Sequence, residues 1–115
     1  MKFVLLLYVD ERAAPPAQPA GETLYQRMFA YREALAKAGA FVASAPFERS
    51  GKARTLVLAG DELRVHDGPY PDTREQLGGY FVIEAADLDE AEHWARQCPS
   101  ARTGSIEIRP LLPGF

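Results

Sequence analysis

The chain has 115 residues, 47% of them apolar and 25% charged, with a net charge of −3. This length holds one ordinary domain, here residues 1–115, and excludes two separate cores, while the apolar share excludes a disordered chain. No run of Lys or Arg forms the basic stripe that phosphate backbones attract, which argues against a nucleic-acid partner, and the single cysteine, Cys98, excludes an intrachain disulfide and a thiolate metal site.

Phe3-Val4-Leu5-Leu6-Leu7-Tyr8-Val9 is continuously apolar and rich in β-formers, as a strand buried on both faces is. The run is too short to span a membrane. No small-residue cleavage site follows it cleanly, so it reads as a strand rather than a signal segment, and a soluble cytoplasmic protein is expected. Residues 10–21, with Pro15, Pro16 and Pro19, read as a loop. A helix is expected from Thr23, because Thr23 and Gln26 match a capping box. Leu24, Met28, Tyr31 and Leu35 mark its apolar face, and Gly39 suits its left-handed end.

Phe41 to Phe47 reads as a second strand stopped or bent at Pro46. Arg54 to Leu58 and Glu62 to His66 flank Ala59-Gly60-Asp61 and form an expected hairpin. Asp67-Gly68-Pro69-Tyr70-Pro71 is a turn by composition. Asp72 and Glu75 are placed to cap a very short helix ending at Gly78-Gly79. Tyr80 to Glu84 is a further buried strand. Asp87 and Glu90 open a second main helix whose apolar face carries Leu88, Ala91, Trp94 and Ala95, and Pro99 stops it. Ser105-Ile106-Glu107-Ile108-Arg109 alternates as a half-buried strand does. The resulting order is β-α-β-β-β-(short α)-β-α-β. It implies an α+β, ferredoxin-like sheet with two main helices on one face. The opposite face then carries the outward apolar residues of the first and fifth strands, and a second copy of the chain is its simplest cover.

Val65-His66-Asp67-Gly68-Pro69-Tyr70-Pro71-Asp72-Thr73-Arg74-Glu75-Gln76-Leu77-Gly78-Gly79-Tyr80 is too particular for composition to explain. It resembles the signature of the DGPF subgroup of YCII-related proteins, where an Asp-Gly-Pro-aromatic turn leads into a Thr-basic-Glu-Gln-Leu-Gly-Gly segment. The likeness extends to Lys2–Tyr8, to Ala86–Ala91 and to Gly104–Pro110, and so to nearly the whole chain. The resemblance implies a dimeric α+β barrel in which two ferredoxin-like subunits set their sheets face to face. It also implies a small pocket. Broader YCII relatives are thought to use a His-Asp pair there, some in lyase-like reactions on small organic molecules. The family's His near the start of the first long helix has no match here, where Glu22, Thr23, Leu24 and Tyr25 stand. Association of DGPF-type genes with extracytoplasmic-function sigma factors suggests a sigma factor as partner and a regulatory or accessory role.

Asp67 is the first candidate for chemistry. It follows a strand and precedes Gly68 and Pro69, so it can border a pocket at the sheet's end and serve as a general base. The plainer reading makes it a turn cap. His66 is the second catalytic candidate, although neighbours on a strand face opposite sides. Tyr8, Gly68, Pro69 and Glu75 are candidates for the ligand-binding wall. For Tyr8 the plainer role is core packing, and for Glu75 it is helix capping. Gly78 and Gly79 lack the Lys and spacing of a phosphate loop. No spacing of His, Cys and carboxylates makes a metal site, and no cofactor is expected. Two functions remain open: a small-molecule-binding or regulatory module, and a small acid/base enzyme with Asp67 as base. The missing helix His tilts the reading towards the first.

Overall fold

The computed structural model describes residues 1–13, 23–69 and 73–114. The elements run β1 (Lys2–Val9), α1 (Leu24–Lys37), β2 (Phe41–Pro46), a 3₁₀ turn (Ser50–Lys52), β3 (Arg54–Ala59), β4 (Glu62–Asp67), β5 (Gln76–Glu84), α2 (Leu88–Gln97), a second 3₁₀ turn (Pro99–Arg102) and β6 (Gly104–Pro110). The expected loop at 10–21 lies mostly outside the described residues, as do Tyr70, Pro71 and Asp72.

Four strands form one antiparallel sheet in the order β2-β5-β1-β6. This is the ferredoxin-like arrangement, with β3 and β4 inserted between β2 and β5 as a separate hairpin. Strand alternation divides the sheet. Phe3, Leu5, Leu7, Phe81 and Ile83 are buried, and they form the core with Tyr31 and Leu35 of α1 and Ala91 and Ala95 of α2. Both long helices therefore cover one face. The capping box at Thr23 is complete: the Gln26 amide donates to the Thr23 hydroxyl at 3.1 Å, and the Thr23 amide donates to the Gln26 side chain at 2.8 Å. Gly39 follows the helix with φ +73°. No described helix is long and apolar enough to cross a membrane.

Among the described residues, nothing packs over the other sheet face. Val4 and Leu6 of β1 point to it beside Tyr80 and Val82 of β5, with Ala43 and Ala45 of β2 next to them in register. Charged residues fill its margins: Lys2 opposite Glu84 on one side, Glu107 paired with Arg109 on β6.

Three expectations are corrected. No short helix follows Asp72: β5 starts at Gln76, so Gly78 and Gly79 lie inside a strand. The reason is close packing, since a Cβ on Gly79 would come within 2.9 Å of the Ala45 carbonyl oxygen. Leu88 is exposed, and α2 packs through Ala91, Ala95 and a half-buried Trp94. Each hairpin strand runs one residue further at its C-terminal end than expected, β3 to Ala59 beside the turn and β4 to Asp67 at the base.

Candidate functional site

The chain ends of β1 and β2 and the starts of β5 and β6 meet at one end of the sheet, where the 3₁₀ turn Ser50–Lys52 and the base of the hairpin also lie. A cleft of about 450 Å³ opens there. Tyr8, Phe47, Pro69 and Leu77 supply its apolar walls. Arg49, Ser50 and Lys52 line one side, and Thr73, Glu75 and Gln76 another. A few polar groups on apolar walls is the usual make-up of a small-molecule site.

The β1–β6 pairing places Tyr8 directly opposite Ser105. The Ser105 hydroxyl donates to Glu75 Oε1 at 2.6 Å. Glu75 is thus held at the cleft by β6, and its backbone carbonyl accepts from the Thr73 hydroxyl at 2.6 Å. Next to it, Arg74 Nε donates to Asp10 Oδ2 at 3.2 Å. The backbone amide of Arg12 and the Arg74 guanidinium hold the Asp10 carboxyl below its ordinary range. The segment 73–77 is therefore tied to the ends of β1 and β6, which replaces the helix that its capping pattern suggested.

Glu11 fastens the opposite side. Its carboxylate accepts from the Ser50 hydroxyl at 2.6 Å and the Ser50 amide at 2.9 Å, and its backbone carbonyl accepts from Arg49 Nη2 at 2.8 Å. These Ser50 bonds hold the Glu11 carboxyl below its usual range. Lys52 Nζ stands 3.2 Å from Glu48 Oε2. The cleft thus carries Arg49 and Lys52 as cations and Glu48 and Glu75 as anions.

Of the residues singled out in the sequence, Tyr8, Pro69 and Glu75 line this cleft. Gly68 sits just behind it, buried, with φ +125°, a backbone region that strains any other residue; its amide donates to the Ala53 carbonyl at 2.8 Å. Asp67 and His66 do not line it. Asp67 closes β4 in register with Arg54, accepts from Arg54 Nε at 3.0 Å, and its side chain is 78% exposed. His66 lies exposed on the opposite face of the hairpin, paired with Thr55. The carboxylates that line the cleft are Glu48 and Glu75, not Asp67, and strand alternation separates His66 from Asp67 as neighbours on a strand must be. Sequence reasoning missed Phe47, Arg49, Ser50 and Lys52, which bear no motif. Among the described residues, no group of three or more His, Cys, Asp or Glu can hold a metal ion.

Comparisons with known proteins agree on the fold. A 5-chloro-2-hydroxyhydroquinone dehydrochlorinase (TftG) from Burkholderia phenoliruptrix AC1100, solved in complex with 2,5-dihydroxybenzoquinone, is similar in structure with a TM-score of 0.51. The match covers 99% of this chain and 96% of that one at 17% sequence identity, so it speaks to the fold alone. An uncharacterized protein of Rhizobium meliloti (strain 1021) is 34% identical over 114 residues, covering 96% of this chain and 92% of the relative. The model of the YCII-related domain matches residues 1–114, and the chain belongs to that family.

Proposed function

We propose that the protein binds a small, flat, hydroxylated organic molecule in the cleft at the sheet's end. The observation that carries this reading is the make-up of the cleft: Tyr8, Phe47, Pro69 and Leu77 form walls suited to a ring, and Glu75 is held among them by Ser105. A ligand hydroxyl donating to Glu75 would be oriented by a carboxylate that is already fixed, which lowers the cost of ordering the site. A regulatory or accessory role beside an extracytoplasmic-function sigma factor fits a binding site of this kind and rests on the DGPF-like signature alone. In the same reading, the bare sheet face pairs with that of a second copy. Support for this is its layout of aliphatic and aromatic residues at the centre and charges at the margin, the anatomy of a protein interface.

A second reading, general acid/base catalysis, is favoured by one feature: Tyr8 and the Glu75–Ser105 pair share the cleft. In it Glu75, rather than Asp67, faces the substrate, because Asp67 is engaged with Arg54 on the hairpin.

Calorimetric titration with 2,5-dihydroxybenzoquinone tests the cleft, and the fate of the bound compound separates the two readings. Saturable binding, at one site per chain and weakened roughly tenfold or more by Glu75→Gln and by Tyr8→Ala, is expected for the cleft. Binding that both variants leave unchanged, or no heat from this compound or simple hydroxylated aromatic acids, would reject it. Chemical change of the bound compound, lost in Glu75→Gln, would favour the enzyme.

A further inference from the structure

The hairpin β3–β4 belongs to neither the sheet nor the helical layer. Its cross-strand register sorts its side chains by face. Leu56 stands opposite Val65 and Leu58 opposite Leu63, with the Arg54–Asp67 ion pair at the base of the same face. The other face carries Thr55, Val57, Arg64 and His66. The apolar stripe is uncovered: Leu56 is 59% exposed, Leu58 68%, Leu63 55% and Val65 54%. A two-stranded hairpin alone is marginal in water, and a contiguous bare apolar face on it marks an interaction site. The radius of gyration is 16.1 Å, against about 13 Å for a compact chain near this length, as a projecting arm requires.

We propose that this hairpin is an arm that lays Leu56, Leu58, Leu63 and Val65 on a second copy of the chain. The inference rests on the sheet-face pairing proposed above and adds a second contact to it. Area selects the occupant. A stable interface buries roughly 800 Å² on each partner, more than four aliphatic side chains supply. The same chain also carries a bare apolar sheet face, and a two-fold pair uses both surfaces on both copies at once. The two are continuous around the cleft: Phe47 on its wall packs against Tyr80 of the bare face with ring centroids 6.0 Å apart, while Ala53 and Pro69, at the two stems of the hairpin, line its other side. Charge excludes an anionic lipid surface as the occupant, since residues 54–67 carry two arginines against three acidic side chains.

Sedimentation equilibrium tests the arm. Leu58→Lys with Leu63→Lys is expected to weaken the dimer roughly 100-fold or more, since both charges would enter the contact. Arg64→Ala, on the opposite face, is expected to leave the affinity within about threefold. If the double variant pairs as tightly as the natural chain while Val82→Lys on the sheet face is monomeric, the arm is overturned and the sheet-face dimer stands. If the natural chain is monomeric at about 100 micromolar, both fall. Hydrogen exchange reads the natural chain directly. Amides of β3 and β4 are expected to be protected at high protein concentration and to lose that protection on dilution, in advance of β1 and β5. Equal protection at both concentrations would overturn the arm even if the double variant failed to fold.

Discussion

Tyr31 places its hydroxyl inside the protein, where it donates to the Trp94 carbonyl at 2.8 Å. Burial pushes its pKa well above the ordinary value of 10.0, and burial likewise raises the Cys98 thiol above 9.0. Both groups are neutral when protonated and have higher pKa values folded than unfolded. Their contribution is therefore full below the unfolded values and is lost as pH rises past 9.0 and then 10.0 towards the folded ones. The melting temperature is expected to fall above pH 9.0. Tyr31→Phe should flatten the upper part of that fall and cost about 1 kcal/mol at neutral pH through the lost hydrogen bond. A variant with the same alkaline slope as the natural chain would place the hydroxyl in water. The same burial predicts that Cys98 resists an aromatic disulfide reagent in the folded chain and reacts promptly in denaturant.

The strands hold the cleft through contacts that leave no room for side chains. A Cβ on Gly104 would lie 1.8 Å from the Tyr8 carbonyl oxygen, a backbone atom that only a shift of β1 or β6 can move. Gly104→Ala is expected to cost roughly 3 kcal/mol, and to disturb the Tyr8–Ser105 pairing that the cleft relies on. An unchanged melting temperature would show that β6 does not press on β1 there. On α2, Trp94 is only half-buried against the core, so Trp94→Ala should cost about 2 kcal/mol, below the 3–5 kcal/mol range of fully buried aromatic residues. These elements also show what was legible beforehand. Thr23 with Gln26 and Asp87 with Glu90 announced helix starts because capping is local chemistry; the Glu90 amide donates to Asp87 at 2.9 Å. Glu75 carried the same local pattern and misled, because its partner is Ser105, thirty positions away. Long-range pairing overrode a weak helical signal, and nothing in residues 73–77 alone records β6.

At the scale of the whole molecule, the apolar runs at Phe3–Val9 and Tyr80–Ile83 made the layer architecture legible, since residues on both faces of a strand demand two covers and the helices supply one. The site was legible in part, because Tyr8, Pro69 and Glu75 sit on or next to a recognisable stretch, while Arg49 and Lys52 reach the cleft through a 3₁₀ turn whose position depends on Glu11. The bare face carries a consequence for stability. If a second copy covers Val4, Leu6, Tyr80 and Val82, folding is coupled to association and stability follows mass action. The melting temperature of the natural chain is then expected to rise by a few degrees for each tenfold increase in protein concentration. Val82→Lys puts a charge at the centre of that face on a strand whose own core contacts, through Phe81 and Ile83, lie on the other side. The variant should fold, melt lower, and melt at a temperature independent of concentration. A natural chain whose melting temperature does not move with concentration would show that the face is solvated in the stable protein.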